Sequence, residues 1–228
     1  MLKIIPLGGM GRVTQNMFVY EYQDEMLIVD CGIGFPDVYM PGVDVLIPDY
    51  RYLVKAVEQG KKIVAMVFSH GHDDHIAAAP YILHQLPEFP LYGSPLTARF
   101  AEKRLADAGF DRKVQVIQNS DVVKLSEHFS VQQFNVTHSV PDTRHVLIHT
   151  PEGLVYHGSD FKLDPSPVDG KVSDLEGIAA ATKSGVLCML IDCLRIENNE
   201  WTKSESTVGI ALREEMAKTK GKSVVTLM

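Results

Sequence analysis

The sequence predicts a mixed α+β fold in which sheet layers are covered on the outside by helices. Three observations carry this expectation. Ile63-Val64-Ala65-Met66-Val67-Phe68 is a continuous apolar run with β-branched residues, the pattern of a strand buried on both faces. Met17 to Tyr22 and Met26 to Asp30 flank the polar turn Gln23-Asp24-Glu25. Val146 to Ile148 and Leu154 to Tyr156 flank Thr150-Pro151-Glu152-Gly153 in the same way, so both pairs are hairpin signals. Several segments between them carry apolar residues at helical intervals.

Taken in order, Tyr50 to Glu58 is expected as a short helix. Beyond the apolar strand, Tyr81, Ile82, Leu83 and Leu86 recur at helical spacing. Pro80 has no amide hydrogen and is tolerated only in a first turn, so the helix should begin near it. Thr97 to Ala108 is a further helix, closed by Gly109. Phe129 to Thr137 is strand-like, with its alternation slipping at Gln132-Gln133, the sign of a bulge. Leu175 to Thr182 is helical and Val186 to Ile191 a buried strand. Ser204 to Lys218 is again helical, with Glu214-Glu215 near Arg213 and Lys218 as its solvated face. Ser223 to Met228 is an apolar strand, and no internal repeat or low-complexity linker interrupts the pattern.

Composition bounds the classes of function. The 228 residues can bury one substantial core, or a core and a small appendage. With 45% hydrophobic and 22% charged residues, the chain has the balance of a soluble globular protein. Met1 to Pro6 lacks the apolar core of a signal peptide, and no apolar run is long enough for a membrane span. Cys31, Cys188 and Cys193 form no disulfide framework and no Cys-x-x-Cys pair. Each is expected as a small buried hydrophobe, in a cytoplasmic, reducing setting. A net charge of −7 without a basic run argues against nucleic-acid binding by charge alone, although bound metal ions can restore positive charge locally.

The densest chemistry lies in Ser69-His70-Gly71-His72-Asp73-Asp74-His75, directly after the apolar strand. Imidazole nitrogen and carboxylate oxygen are the donors a borderline-soft divalent ion takes, and a surface turn does not call for such an array. His70 and His72, two apart, can chelate one ion from an extended loop. Asp74 and His75 can reach a neighbouring ion roughly 3.5–4 Å away. His138 ends the strand Phe134 to Thr137, and Asp160 follows Leu154 to Tyr156 through His157-Gly158-Ser159. Alone, each would be a routine polar residue. Beside this loop they become candidate ligands, and a carboxylate can bridge two metals. Gly158 should allow close backbone approach to an ion or phosphate. His84 and His128 are expected at the surface, and His145, His149 and His157 in packing roles.

Asp30, the His70–His75 motif, His138 and Asp160 resemble, in order, the motifs of the metallo-β-lactamase superfamily. The surrounding residues are similar to ribonuclease J, of the β-CASP branch. They include Pro6-Leu7-Gly8-Gly9, Phe35-Pro36, Gly42-Val43-Asp44, Ile47-Pro48-Asp49 and Thr137-His138-Ser139-Val140-Pro141-Asp142. His149-Thr150-Pro151-Glu152-Gly153, Gly158-Ser159-Asp160-Phe161-Lys162 and Pro167-Val168-Asp169-Gly170 continue the likeness over nearly the whole chain. The resemblance implies an αββα sandwich over residues 1–200 and the start of an inserted β-CASP domain over 201–228. It implies two divalent ions, zinc or alternatively manganese. His70, His72 and His138 would hold one, Asp74 and His75 the other, and Asp160 would bridge them. Asp30 would support the ligand loop without touching metal. The implied reaction is hydrolysis of RNA phosphodiesters, internally or from a 5′ end, by a water held between the ions. Asp74 would be the catalytic group that orients or deprotonates that water.

The family is longer than this chain, and its later segments supply one more histidine ligand and the general acid. The chain therefore reads as a partial protein, with a second copy or a partner ribonuclease subunit as possible company. Arg12, Thr14, Ala77-Ala78 and Cys193-Leu194-Arg195 depart from the usual residues, the last beside a stretch that could meet substrate phosphates. Two alternatives stand beside the nuclease. One is a hydrolase of a small ester, thioester or lactone; the other is a metal-binding partner subunit with weak activity.

Overall fold

The computed structural model describes residues 1–226. Two sheets lie face to face. The first has six strands in sequence order: β1 Lys3–Pro6, β2 Phe18–Tyr22, β3 Glu25–Val29, β4 Lys62–Val67, β5 Leu91–Gly93 and β6 Val114–Val116. Pairing is antiparallel through β3 and parallel from β3 to β6. The second sheet runs β11-β10-β9-β8-β7, from β7 Val122–Lys124, β8 Ser130–Asn135, β9 Arg144–Thr150, β10 Gly153–His157 and β11 Cys188–Leu190. The helices are α1 Arg51–Glu58, α2 Asp73–Ile76, α3 Ala79–Ile82, α4 Pro95–Asp107, α5 Leu175–Ala181 and α6 Val208–Lys218.

Side-chain alternation explains the layering. Phe18, Tyr20, Leu27, Val29, Ala65 and Val67 meet Phe129, Val131, Val146, Ile148 and Val155 between the sheets. The other face of the first sheet packs Met66 and Phe68 against Leu53 of α1 and Ala98, Ala101 and Leu105 of α4. Phe134, Leu147, Leu154 and Tyr156 pack outward against Ile178 and Ala181 of α5. The order is helix, sheet, sheet, helix, the αββα arrangement that the resemblance implies.

Both hairpins, α1, α4, α5 and the doubly buried β4 stand where the sequence places them. Other details differ. The bulge expected at Gln132-Gln133 is absent, because β8 pairs without a break from Ser130↔His149 to Asn135↔Arg144. Gln133 takes an inward position, where its Nε2 donates to the Phe68 carbonyl at 3.0 Å and so pairs the NH2 end of the buried amide. The irregularity lies instead between β3 and β4, where the register slips at Met26/Leu27. The strand at Val186 to Ile191 shortens to β11, an edge strand with Met189 and Ile191 exposed. Helix begins at Asp73, inside the histidine motif, while the segment at Pro80 is only the single turn α3. Cys31 is buried as expected, but Cys188 is half-buried and Cys193 exposed. Residues Ser223 to Thr226 are not strand, and Leu227 and Met228 lie outside the described residues. Among the described residues no helix is long and apolar enough to cross a membrane.

Glu21 of β2 gives the fold an acid-sensitive tie. Its buried carboxylate meets Lys3 Nζ at 2.7 Å, Lys61 Nζ at 2.5 Å and Tyr52 Oη at 2.5 Å. Burial opposes the charge, but these donors prevail and hold the carboxyl at about 2 against an ordinary 4.5. A depressed carboxyl stabilises the fold above its unfolded value and loses that contribution as pH falls toward the folded one. Stability is therefore expected to drop by about 2 kcal/mol between roughly pH 5 and pH 2, allowing for screening of the two lysines. Urea midpoints across that range check this. A Glu21→Gln variant should flatten that part of the profile.

Candidate metal centre

The centre forms where the two sheets meet at one end of β4. Asp30 directly follows β3 with φ +60°, and Ser69 to His72 leave β4 as an extended loop before α2. The loop after β3 clamps α2 by its backbone. Cys31 N–H donates to His75 O at 2.7 Å, Ile33 N–H to Asp73 O at 3.1 Å, and Ala78 N–H to Cys31 O at 2.9 Å. Arg144 N–H donates to Ser69 O at 3.0 Å, so β9 of the second sheet fixes the same loop. On the outer side, Arg104 of α4 pairs with Asp73.

These constraints bring together every residue singled out as a ligand. His70, His72, His138 and Asp160 form one donor group, and Asp74, His75 and Asp160 another; within each, one donor atom per residue lies within 4.8 Å of all the others. His70 Nε2 is 3.1 Å from His72 Nδ1, which is 3.2 Å from His138 Nε2. Asp160 Oδ2 is 3.6 Å from His138 Nε2 and 3.9 Å from His70 Nε2. Its other oxygen, Oδ1, lies 3.6 Å from His75 Nε2. Asp74 Oδ2 is 3.7 Å from His75 Nε2. Asp160 thus faces both groups, one oxygen to each. Asp30 stands behind them, with Oδ2 2.7 Å from His75 Nδ1. Imidazole and carboxylate donors converging at these distances make each group one that could hold a divalent metal ion.

The electrostatics suit cations. Burial, then the neighbouring imidazoles of His75, His138 and His72, push His70 well below its ordinary value. Burial likewise brings His138 down to about 4 despite the pull of Asp160. His75 goes the other way: burial opposes its charge, but Asp30 and Asp160 outweigh that and raise it to about 10. Burial raises Asp74, partly offset by His75, while His75 and His138 hold Asp160 down against its own burial. An imidazole raised to about 10 holds its proton at pH 7 and must lose one to expose Nε2. Metal uptake at pH 7 is therefore expected to release about one proton from the His75 group and almost none from His70 or His138. Calorimetric titrations in buffers of different ionisation enthalpy measure that number.

The remaining histidines do not join either group. His145 Nδ1 lies 2.5 Å from Tyr156 Oη, and His157 Nδ1 2.6 Å from Tyr20 Oη, both in packing roles. His128 stacks edge-on against Tyr22, and His84 is exposed. Gly158 makes a close backbone approach to β11, with a Cβ there falling 3.1 Å from Leu190 O. Sequence reasoning assigned no role to Asn16, Ser69, Ser159 or Arg104. Asn16 Nδ2 lies 3.0 Å from His75 Nε2, and Ser159 Oγ 3.2 Å from His70 Nδ1. Only the position of Ser69 and Ser159, each immediately before a ligand, could have signalled them. A cleft of about 500 Å³ opens over His138 and Asp160 and is also lined by Lys162, Arg195 and Trp201.

Residues 10–163 match the Metallo-beta-lactamase superfamily. The chain belongs to that superfamily. Within it, the chain is 38% identical to ribonuclease J of Thermus thermophilus over 99% of its own length, covering 40% of that protein. It is 38% identical to ribonuclease J of Synechocystis sp., over 99% of the chain and 35% of that protein. It is 32% identical to ribonuclease J 2 of Staphylococcus aureus, over 99% of the chain and 40% of that protein. This superfamily chain thus spans well under half of these relatives. Among solved structures it resembles a protein of unknown function from Enterococcus faecalis V583, with TM-score 0.64 and 17% identity over 95% of this chain and 57% of that one. A diphosphatase from the PhnP family gives TM-score 0.53 and 18% identity over 90% and 69%. At such identities the structural likeness speaks for the shared fold.

Proposed function

We propose that the chain carries the metal centre of a ribonuclease that hydrolyses RNA phosphodiesters, either internally or from a 5′ end. One observation carries this reading: Asp160 is shared between two donor groups on the floor of a cleft, in a chain 38% identical to ribonuclease J along its whole length. His70, His72, His138 and Asp160 would hold one divalent ion, zinc or manganese, and Asp74, His75 and Asp160 the second. Bound ions would supply a water of lowered pKa and neutralise charge on the scissile phosphate. The rest falls to the chain. Asp74 would orient the attacking water or accept its proton, as a carboxylate whose burial raises it in the metal-free chain. Lys162 lines the cleft beside His138 with its ammonium paired to Glu205 at 2.5 Å, and on exchanging that carboxylate for a phosphate it would contact the substrate. Arg195 lines the same cleft from the stretch Asp192 to Thr202 and offers a second phosphate contact.

Trp201, the chain's single tryptophan, is 86% exposed at the cleft rim and is the platform on which a base would stack. RNA binding should quench its fluorescence, and Trp201→Ala should weaken binding about tenfold, the equivalent of roughly 1.4 kcal/mol from one lost stack. The deciding experiment loads the chain with zinc or manganese and offers it 5′-monophosphorylated RNA, circular RNA and a thioester. Cleavage of RNA that EDTA stops is expected. Thioester hydrolysis with RNA left intact would overturn the reading in favour of a small-molecule hydrolase. Metal binding with neither reaction would leave a partner subunit.

A further inference from the structure

Beneath the two donor groups lies a buried chain of hydroxyls that contacts no ligand's metal-facing atom. Ser159 Oγ is 2.8 Å from Ser69 Oγ, which is 2.8 Å from Asp30 Oδ2. His70 Nδ1 lies 3.0 Å from Ser69 Oγ and 3.2 Å from Ser159 Oγ. Asp30 Oδ1 accepts the Ser69 backbone N–H at 2.8 Å, and Oδ2 also faces His75 Nδ1 at 2.7 Å. Asp30, Ser69, His70 and Ser159 are each at most 4% exposed, so water does not complete these contacts.

Counting protons fixes their direction. A carboxylate only accepts, so the Ser69 hydroxyl spends its single proton on Asp30. The contact between the two serines then needs the Ser159 proton. Neither hydroxyl has a proton left for His70, and the contact to Nδ1 is satisfied only if the imidazole supplies it. Any other assignment leaves two buried lone pairs facing each other at hydrogen-bond distance, which costs more than the bond it replaces. We infer that Asp30 sets the tautomer of one ligand in each metal group, through Ser69 and Ser159 for His70 and directly for His75. Both rings then keep their proton on Nδ1 and turn Nε2 toward the metal. Ser69 and Ser159 are positioning residues. The inference rests on the metal-centre reading but not on RNA as substrate.

An isosteric change provides the test. In Asp30→Asn, the Ser69 backbone N–H still requires an oxygen at the Oδ1 position, so the amide NH2 must take the Oδ2 position. There it donates to Ser69 Oγ and meets His75 Nδ1, and every bond in the chain reverses. Imidazole 15N spectra of the metal-free chain should show His70 protonated on Nδ1 in the native protein and on Nε2 in Asp30→Asn. Zinc affinity of the variant should fall about tenfold to a hundredfold in both groups, the usual loss when a ligand's outer partner is disrupted. Ser159→Ala should keep the native His70 tautomer, because Ser69 still spends its proton on Asp30 and still accepts from Nδ1, and should weaken only the His70 group, while Ser69→Thr, which keeps the hydroxyl, should retain native affinity. A native His70 protonated on Nε2 would overturn the inference without any variant needing to fold. So would an Asp30→Asn protein that folds with unchanged tautomers. A chain that shows these tautomers yet cleaves no RNA would sink the nuclease reading alone.

Discussion

Asp160→Ala is expected to remove both metal ions at once, while His138→Ala removes one. Asp160 is the residue common to the two donor groups, with Oδ2 toward His138 and His70 and Oδ1 toward His75. Without it the first group is three imidazoles with no anionic donor, and the second is reduced to Asp74 and His75. A bridging carboxylate contributes charge to both ions and relieves their mutual repulsion, so its loss should exceed the roughly hundredfold penalty of losing an outer partner. His138→Ala leaves Asp74, His75 and Asp160 in place, and one equivalent should survive desalting. Elemental analysis of the purified variants measures the outcome directly. Asp160→Ala retaining two equivalents would mean that the groups do not share a bridge. The same substitution removes one of the two carboxylates that hold His75 at about 10, so less proton release on metal uptake should accompany whatever affinity remains.

The contrast between what the sequence discloses and what it hides follows from contact distance along the chain. The His70–His75 motif is legible because its ligands are local: one buried strand, one loop and one helical turn place them all. The sandwich is legible for the same reason, since hairpins and a doubly apolar strand are short-range patterns. Asp30 is different. Its partner His75 lies 45 positions away, and only the resemblance to a family pointed to it. Gln133 misled for a related reason. A glutamine at an inward position resembles a break in alternation unless its partner, the Phe68 carbonyl 65 residues back, is known. Asn16, 59 positions from His75, carries no local signal at all. The exposed Cys193 and the edge strand β11 show the limit of reading burial from apolar neighbours, because an apolar run marks strand character and not the number of covered faces.

Gly32→Ala is expected to destabilise the protein by about 3–4 kcal/mol or more and to abolish metal binding, although Gly32 offers no ligand. A Cβ at this position would sit 1.5 Å from Asp74 O, 1.9 Å from Asp74 C and 2.6 Å from His75 N. These are backbone atoms of α2, and no rotamer change can move them aside. Relief requires separating the loop after β3 from α2, which breaks the bonds from Cys31 to His75 and from Ile33 to Asp73 that hold the ligand turn in place. Gly71→Ala makes the informative comparison. Its Cβ would fall 2.2 Å from Phe100 Cδ2, but that ring is 41% exposed at the surface of α4 and can swing outward. About 1 kcal/mol and retention of both ions are expected there, though Gly71 stands between two ligands and Gly32 lies far before the first. Urea unfolding with metal analysis on both variants decides the matter. If Gly71→Ala lost the ions and Gly32→Ala kept them, the ligand loop itself would set the geometry. The expected result assigns that task to the backbone clamp between β3 and α2, which makes metal affinity a property of how the first sheet is folded.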